Sequence, residues 1–94
     1  MTDKTREALR AEAAALAARL RTERDELRVQ LHLAGAEARA EWERLEPRLA
    51  DYEARAARVG EAAGDAARDV GSALGILGEE LAAGYARIRA AMKS

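Results

Sequence analysis

The sequence predicts an all-α fold: a long amphipathic helical hairpin that self-associates into an antiparallel bundle, four helices in its simplest form. Three observations carry that expectation. An apolar stripe in alternating steps of three and four runs from Leu9 to Met92, with Arg24 taking one turn of it between Leu20 and Leu27. Its 23 steps over 83 residues average about 3.6, the period of straight packed helices, where a sustained two-stranded coiled coil repeats every ~3.5. The stripe is also shallow: the chain has 25 alanines, one tryptophan and no phenylalanine, so each turn buries little area and a second copy is the simplest way to complete a core.

The first element is a helix over about residues 4–59. Ala, Leu, Glu and Arg dominate it, all strong helix formers, and it contains a single glycine. Leu27, Leu31, Trp42, Leu45, Leu49, Tyr52 and Val59 share its apolar face and are the candidate oligomer or packing contacts. Pro47 removes the helical bond to the carbonyl of Glu43. No Gly, Asn, Asp or Ser flanks it, and Trp42, Leu45, Leu49 and Tyr52 keep their phase across it, so the site reads as a kink in preference to a bend.

A turn is expected near residues 60–65, where Gly60 is placed to close the first helix and Asp65 to cap the next. Val70-Gly71-Ser72 offers a rival boundary. The second helix runs over about 66–92 and continues the packing face through Val70, Leu74, Leu77, Leu81 and Ile88. Arms of ~80 Å and ~40 Å follow from the helical rise. Much of residues 4–30 would then lack a partner within the chain, which again implies a second copy.

Six glycines fall between Gly60 and Gly84, and each costs about 1 kcal/mol relative to alanine inside a helix. Gly64, Gly71 and Gly78 extend a series of small residues at sevens that begins with Ala50 and Ala57. They are the candidates for a close approach between helix backbones.

Charge excludes several classes of function. Sixteen basic residues face seventeen acidic ones, with both signs in each half and no basic arm, so nucleic acid is not an expected partner. Opposite charges at i,i+4, such as Arg39 with Glu43 and Asp51 with Arg55, dress a solvated helix face. There is no cysteine for a disulfide or thiolate site. The longest uncharged run, residues 70–78, is far short of the ~20 residues of a membrane span. No apolar signal segment follows Met1, and the expected compartment is the cytoplasm.

Chemistry-bearing constellations are missing from the pattern. The single histidine, His32, has Arg28, Val29, Gly35 and Ala36 as helical neighbours, none of which ligates a metal. The few hydroxyls have no base placed to activate them. Neither catalytic residues, nor a metal, nor a cofactor is expected, and the chain reads as no enzyme. Trp42, Tyr52 and Tyr85 lie on the stripe and read as packing residues, with Tyr85 the one placed to anchor a partner.

The run Asp25-Glu26-Leu27-Arg28-Val29-Gln30-Leu31-His32-Leu33-Ala34, then Glu41-Trp42-Glu43 and Gly84-Tyr85-Ala86-Arg87-Ile88-Arg89, resembles a group of small, uncharacterised helical bacterial proteins. That resemblance implies long helices and no assigned activity. The alanine-rich amphipathic repeat is also similar, more loosely, to phasin-type granule coats and apolipoprotein-like helices. The expected function is accordingly a non-enzymatic structural or interaction protein forming a homo-oligomeric bundle. The alternative is reversible peripheral binding to a lipid or hydrophobic granule surface through the amphipathic helix.

Overall fold

The computed structural model describes residues 3–59 and 65–93. They form three helices, α1 (Asp3–Gln30), α2 (Ala36–Arg58) and α3 (Asp65–Lys93), with a short 3-10 turn, Leu31–Leu33, between the first two. Among the described residues there is no strand. Each helix packs on the other two.

The single helix expected over residues 4–59 is therefore divided. After Gln30 the backbone tightens into the 3-10 turn, closed by the Ala34 N–H on the Leu31 carbonyl at 3.0 Å. Ala34 and Gly35 are both extended, and the Gly35 carbonyl accepts the first bond of α2 from the Arg39 N–H at 3.0 Å. The physical reason is coverage. A 55-residue helix would be ~80 Å long, whereas the molecule measures 47 × 18 × 17 Å. The turn at residues 31–35 lets the α1 stripe pack against α2 and α3, so Leu20 and Leu27 are buried inside the chain. The ground for expecting residues 4–30 to need a second chain is thereby removed, and the two-armed hairpin gives way to three helices of similar length.

Periodicity gave no sign of this break, because Leu31, Ala34 and Ala38 stay in phase across it. Gly35 was the available signal, an uncapped glycine followed by Glu37 in the first turn of α2. A carboxylate there faces the positive end of the helix dipole, and Arg55 and Arg58 sit favourably in the last turn. Val29 and Leu33, apolar but off the stripe, stand 75% and 67% exposed beside the turn.

Helix α2 runs through Pro47 without interruption, so no hairpin bend occurs there. Pro47 and Glu43 are both exposed, and the carbonyl that loses its helical partner lies on the watered side. Residues 60–64 of the turn expected near 60–65, and with them the packing role expected of Gly64, lie outside the described residues. At the rival boundary, α3 continues through Gly71 and Ser72.

The core takes one face from each helix. Leu20 and Leu27 of α1 share one buried cluster with Leu45, Leu49 and Tyr52 of α2, Val59 at its end, and Leu74, Leu81, Tyr85 and Ile88 of α3. Full burial of each such side chain contributes about 1.5–3 kcal/mol. Of the twelve candidate packing residues, Leu31, Val70 and Leu77 are half-buried against this core and the other nine lie within it.

The small-residue series at sevens does not form one packing face: Ala50 and Ala57 are exposed. A methyl at Gly71 would lie at an ordinary 3.9 Å from Leu9, and at Gly75 it would meet nothing. At Gly78 it would press Leu16 at 3.0 Å, and at Gly84 it would stand 2.7 and 2.9 Å from the two Cδ atoms of Leu45. The close approach thus centres on Gly84, a position the sevens pattern does not include.

The sign of glycine substitution should follow this order. Gly75→Ala and Gly71→Ala are expected to stabilise by up to about 1 kcal/mol through helix propensity, and Pro47→Ala by up to about 3 kcal/mol. Gly84→Ala is expected to overpack Leu45 and cost ~1–3 kcal/mol before the same propensity gain is credited. Urea unfolding of the four variants checks this, and Gly84→Ala ranking above Gly75→Ala would contradict it.

Candidate interaction surface

Where charged residues flank the core, they pair mainly between helices. Arg21 reaches Glu53 at 2.5 Å and Arg24 reaches Glu46 at 2.7 Å, joining α1 to α2. Arg87 reaches Glu41 at 2.5 Å and Arg48 approaches Glu80 at 3.6 Å, joining α3 to α2. Arg89 and Glu23 are 3.9 Å apart between α3 and α1. Within α2, Arg55 meets Asp51 at 3.0 Å, as the i,i+4 spacing expects. Arg39 instead donates to the His32 carbonyl at 3.4 Å, tying α2 back to the turn. Exposed pairs of this kind contribute ~0–1 kcal/mol each, but a shifted register would set like charges together.

Arg24, the one polar turn of the apolar stripe, is the best-held of these groups. Its side chain is 14% exposed. Nε and Nη2 donate to the two oxygens of Glu46 at 2.9 and 2.7 Å, and Nη1 donates to Asp25 at 2.9 Å. Its guanidinium lies 5.5 Å from the ring centroid of Trp42, within cation–π range. These hydrogen bonds push the Arg24 pKa up and hold the Glu46 carboxyl below its ordinary value. Glu41 is held low in the same way, by Arg87 and then Arg44. Nothing in the sequence pattern marks Glu41, and Arg24 stands out there only as the polar turn of the stripe. The signal was the misfit of an arginine in phase with leucines.

Beneath this clasp Trp42 and Tyr85 meet with ring centroids 6.3 Å apart, tilted by 54°. Tyr85 is fully buried, and its hydroxyl has no hydrogen-bond partner among the described residues. Burial pushes its pKa up to about 12. Because the folded value exceeds the ordinary 10.0, the phenol's contribution is complete below pH ~10 and is lost as pH rises toward ~12. The loss amounts to at most about 2–3 kcal/mol.

Tyr85→Phe should abolish most of that alkaline loss, leaving a smaller share from Tyr52, whose pKa burial also raises. At neutral pH the same change should be neutral or stabilise by about 1 kcal/mol, because it removes a desolvated hydroxyl with no partner. Chemical unfolding of both proteins at pH 7 and near pH 11 provides the check. Equal pH dependence in the two would refute it.

The remaining surface differs among the helices. On α2 the outward side carries Glu37, Arg39, Glu43, Arg44, Arg48, Asp51, Arg55 and Arg58, all exposed. On α3, from Ser72 to Ala90, the exposed charges are Glu79, Glu80 and Arg87, and between them stand small or apolar residues. Ile76 is 62% exposed there. An alanine strip also runs along the outside of α1, through Ala8, Ala11, Ala15 and Ala18, but it offers no side chain larger than a methyl. His32 is exposed at the turn. Among the described residues no group of three acidic or histidine side chains converges as a metal site, and no helix is long and apolar enough to cross a membrane. Comparison with protein-family models, curated proteins and solved structures finds no match for the chain.

Proposed function

We propose that this chain is a non-enzymatic interaction protein: a small up-and-down bundle in which α2 runs antiparallel to both α1 and α3. Its working surface is the outer face of α3. The ion pairs support the bundle topology, since Arg21 and Arg24 meet Glu53 and Glu46 in reversed order, as Arg48 and Arg87 meet Glu80 and Glu41. One observation carries the function. Ile76 stands exposed among small residues on α3, whereas the outward side of α2 is dense in charge. Alanine and serine let another helix approach closely, and covering an isoleucine gains apolar burial that covering alanine alone does not. A cytoplasmic location is part of the proposal.

Binding to a lipid or granule surface is the weaker reading, because the stripe it would use is already covered inside the chain. A photo-crosslinking residue at Ile76, compared with Arg19 on α1 and Arg44 on α2, tests the choice in cells that make the chain. Protein adducts confined to Ile76, identified by mass spectrometry, are expected. Equal labelling at all three sites, or none at Ile76, would overturn the reading.

A further inference from the structure

We infer that the occupant of the α3 outer face is a second copy of this chain, lying antiparallel across a two-fold axis at Ala83. The inference rests on the interaction reading above and names its partner. At 3.6 residues per turn, Ile76, Ala83 and Ala90 fall opposite Leu74, Leu81 and Tyr85, which are buried in the core. All three outward residues are exposed.

Charge decides the direction. An antiparallel pairing centred on Ala83 sets residue 79 of one copy level with residue 87 of the other, twice, the two lying about 40° to either side of Ala83 on the face. Glu79 makes no ion pair among the described residues, and Arg87, whose side chain is 65% exposed, donates Nε and Nη2 to Glu41 at 3.2 and 2.5 Å and has Nη1 left for a second carboxylate. The same register brings Ile76 over Ala90, where a methyl leaves room for it. A parallel pairing would instead oppose Glu79 to Glu79 and Arg87 to Arg87, which is repulsive at both points. The α1 strip lacks both the isoleucine and a comparable gain on covering.

Area sets the size class of the contact. From Ser72 to Ala90 the strip is ~27 Å long, and the molecule is about 18 Å wide. Even a contact spanning that full width covers at most roughly 500 Å² per copy, or roughly 1,000 Å² in all, below the ~1,600 Å² of a standard complex. The dimer is a weak one, at the low end of the size range for specific interfaces.

Since the chain has no native cysteine, a single introduced thiol reports unambiguously. Sedimentation equilibrium of the purified chain from ~1 to ~500 µM should show monomer passing to dimer. Ala83→Cys should oxidise to a crosslinked dimer while Ala50→Cys, on the outside of α2, does not. Glu79→Arg should weaken association by tenfold or more, on the order of what losing two charge pairs to repulsion implies, with the helical circular dichroism unchanged. Monomer throughout the range overturns the self-pairing, as does equal crosslinking at Ala50 or an unmoved dissociation constant in Glu79→Arg. If the purified chain is monomeric while Ile76 still crosslinks to a different protein in cells, the self-pairing falls and the interaction reading stands. If Ile76 crosslinks to nothing, both fall.

Discussion

Trp42→Ala should destabilise the protein by about 3–5 kcal/mol, the range for truncating a buried tryptophan. Three losses add at this position. Removing the indole leaves a cavity in the buried core, abandons the tilted contact with the buried Tyr85 ring, and uncovers the guanidinium of Arg24. The aromatic contact alone is worth about 0.5–1.5 kcal/mol. Trp42→Phe keeps a ring under Arg24 and should cost clearly less. Urea unfolding at pH 7 measures both. A loss under 1 kcal/mol for Trp42→Ala would mean that α1, α2 and α3 do not converge on this ring.

Leu49→Ala and Leu45→Ala are each expected to cost ~2–5 kcal/mol, as leucine truncations in a packed core do. Both side chains are buried, on either side of Pro47. The two differ in their neighbours. Leu45 presses on Gly84 from α2, with both Cδ atoms inside 3 Å of where a methyl would stand. Removing Leu45 therefore creates the space that Gly84→Ala fills. The double variant Leu45→Ala/Gly84→Ala should lose at least about 1 kcal/mol less than the two single losses added together, a coupling typical of residues in contact. Leu49→Ala with Gly84→Ala serves as the comparison. Strict additivity in the Leu45 pair would contradict the close approach of α2 and α3.

The helical class and the inward residues were legible in the sequence. The run of leucines, alanines and aromatics at steps of three and four marks one side of every helix, and a side chain's direction about its own axis follows from spacing alone. Leu27, Trp42, Leu49, Tyr52, Leu81 and Ile88 are buried for that reason. The continuity of α2 through Pro47 was legible too, from the unbroken phase on either side.

Only the tertiary structure decided where the chain turns, because a stripe that keeps its phase is silent about the direction of the axis that carries it. The turn at Leu31–Gly35 lets three stripes cover one another, and that gain belongs to no local segment. The same holds for the charges. Glu41 reads as an ordinary residue of a helix surface, and Arg24 only as a polar turn of the stripe, until a neighbouring helix brings Arg87 and Glu46 to them. It holds again for glycine, where Gly75 stands open and Gly84 lies against Leu45. Helix propensity treats the two alike, and only the distance to the facing helix separates them.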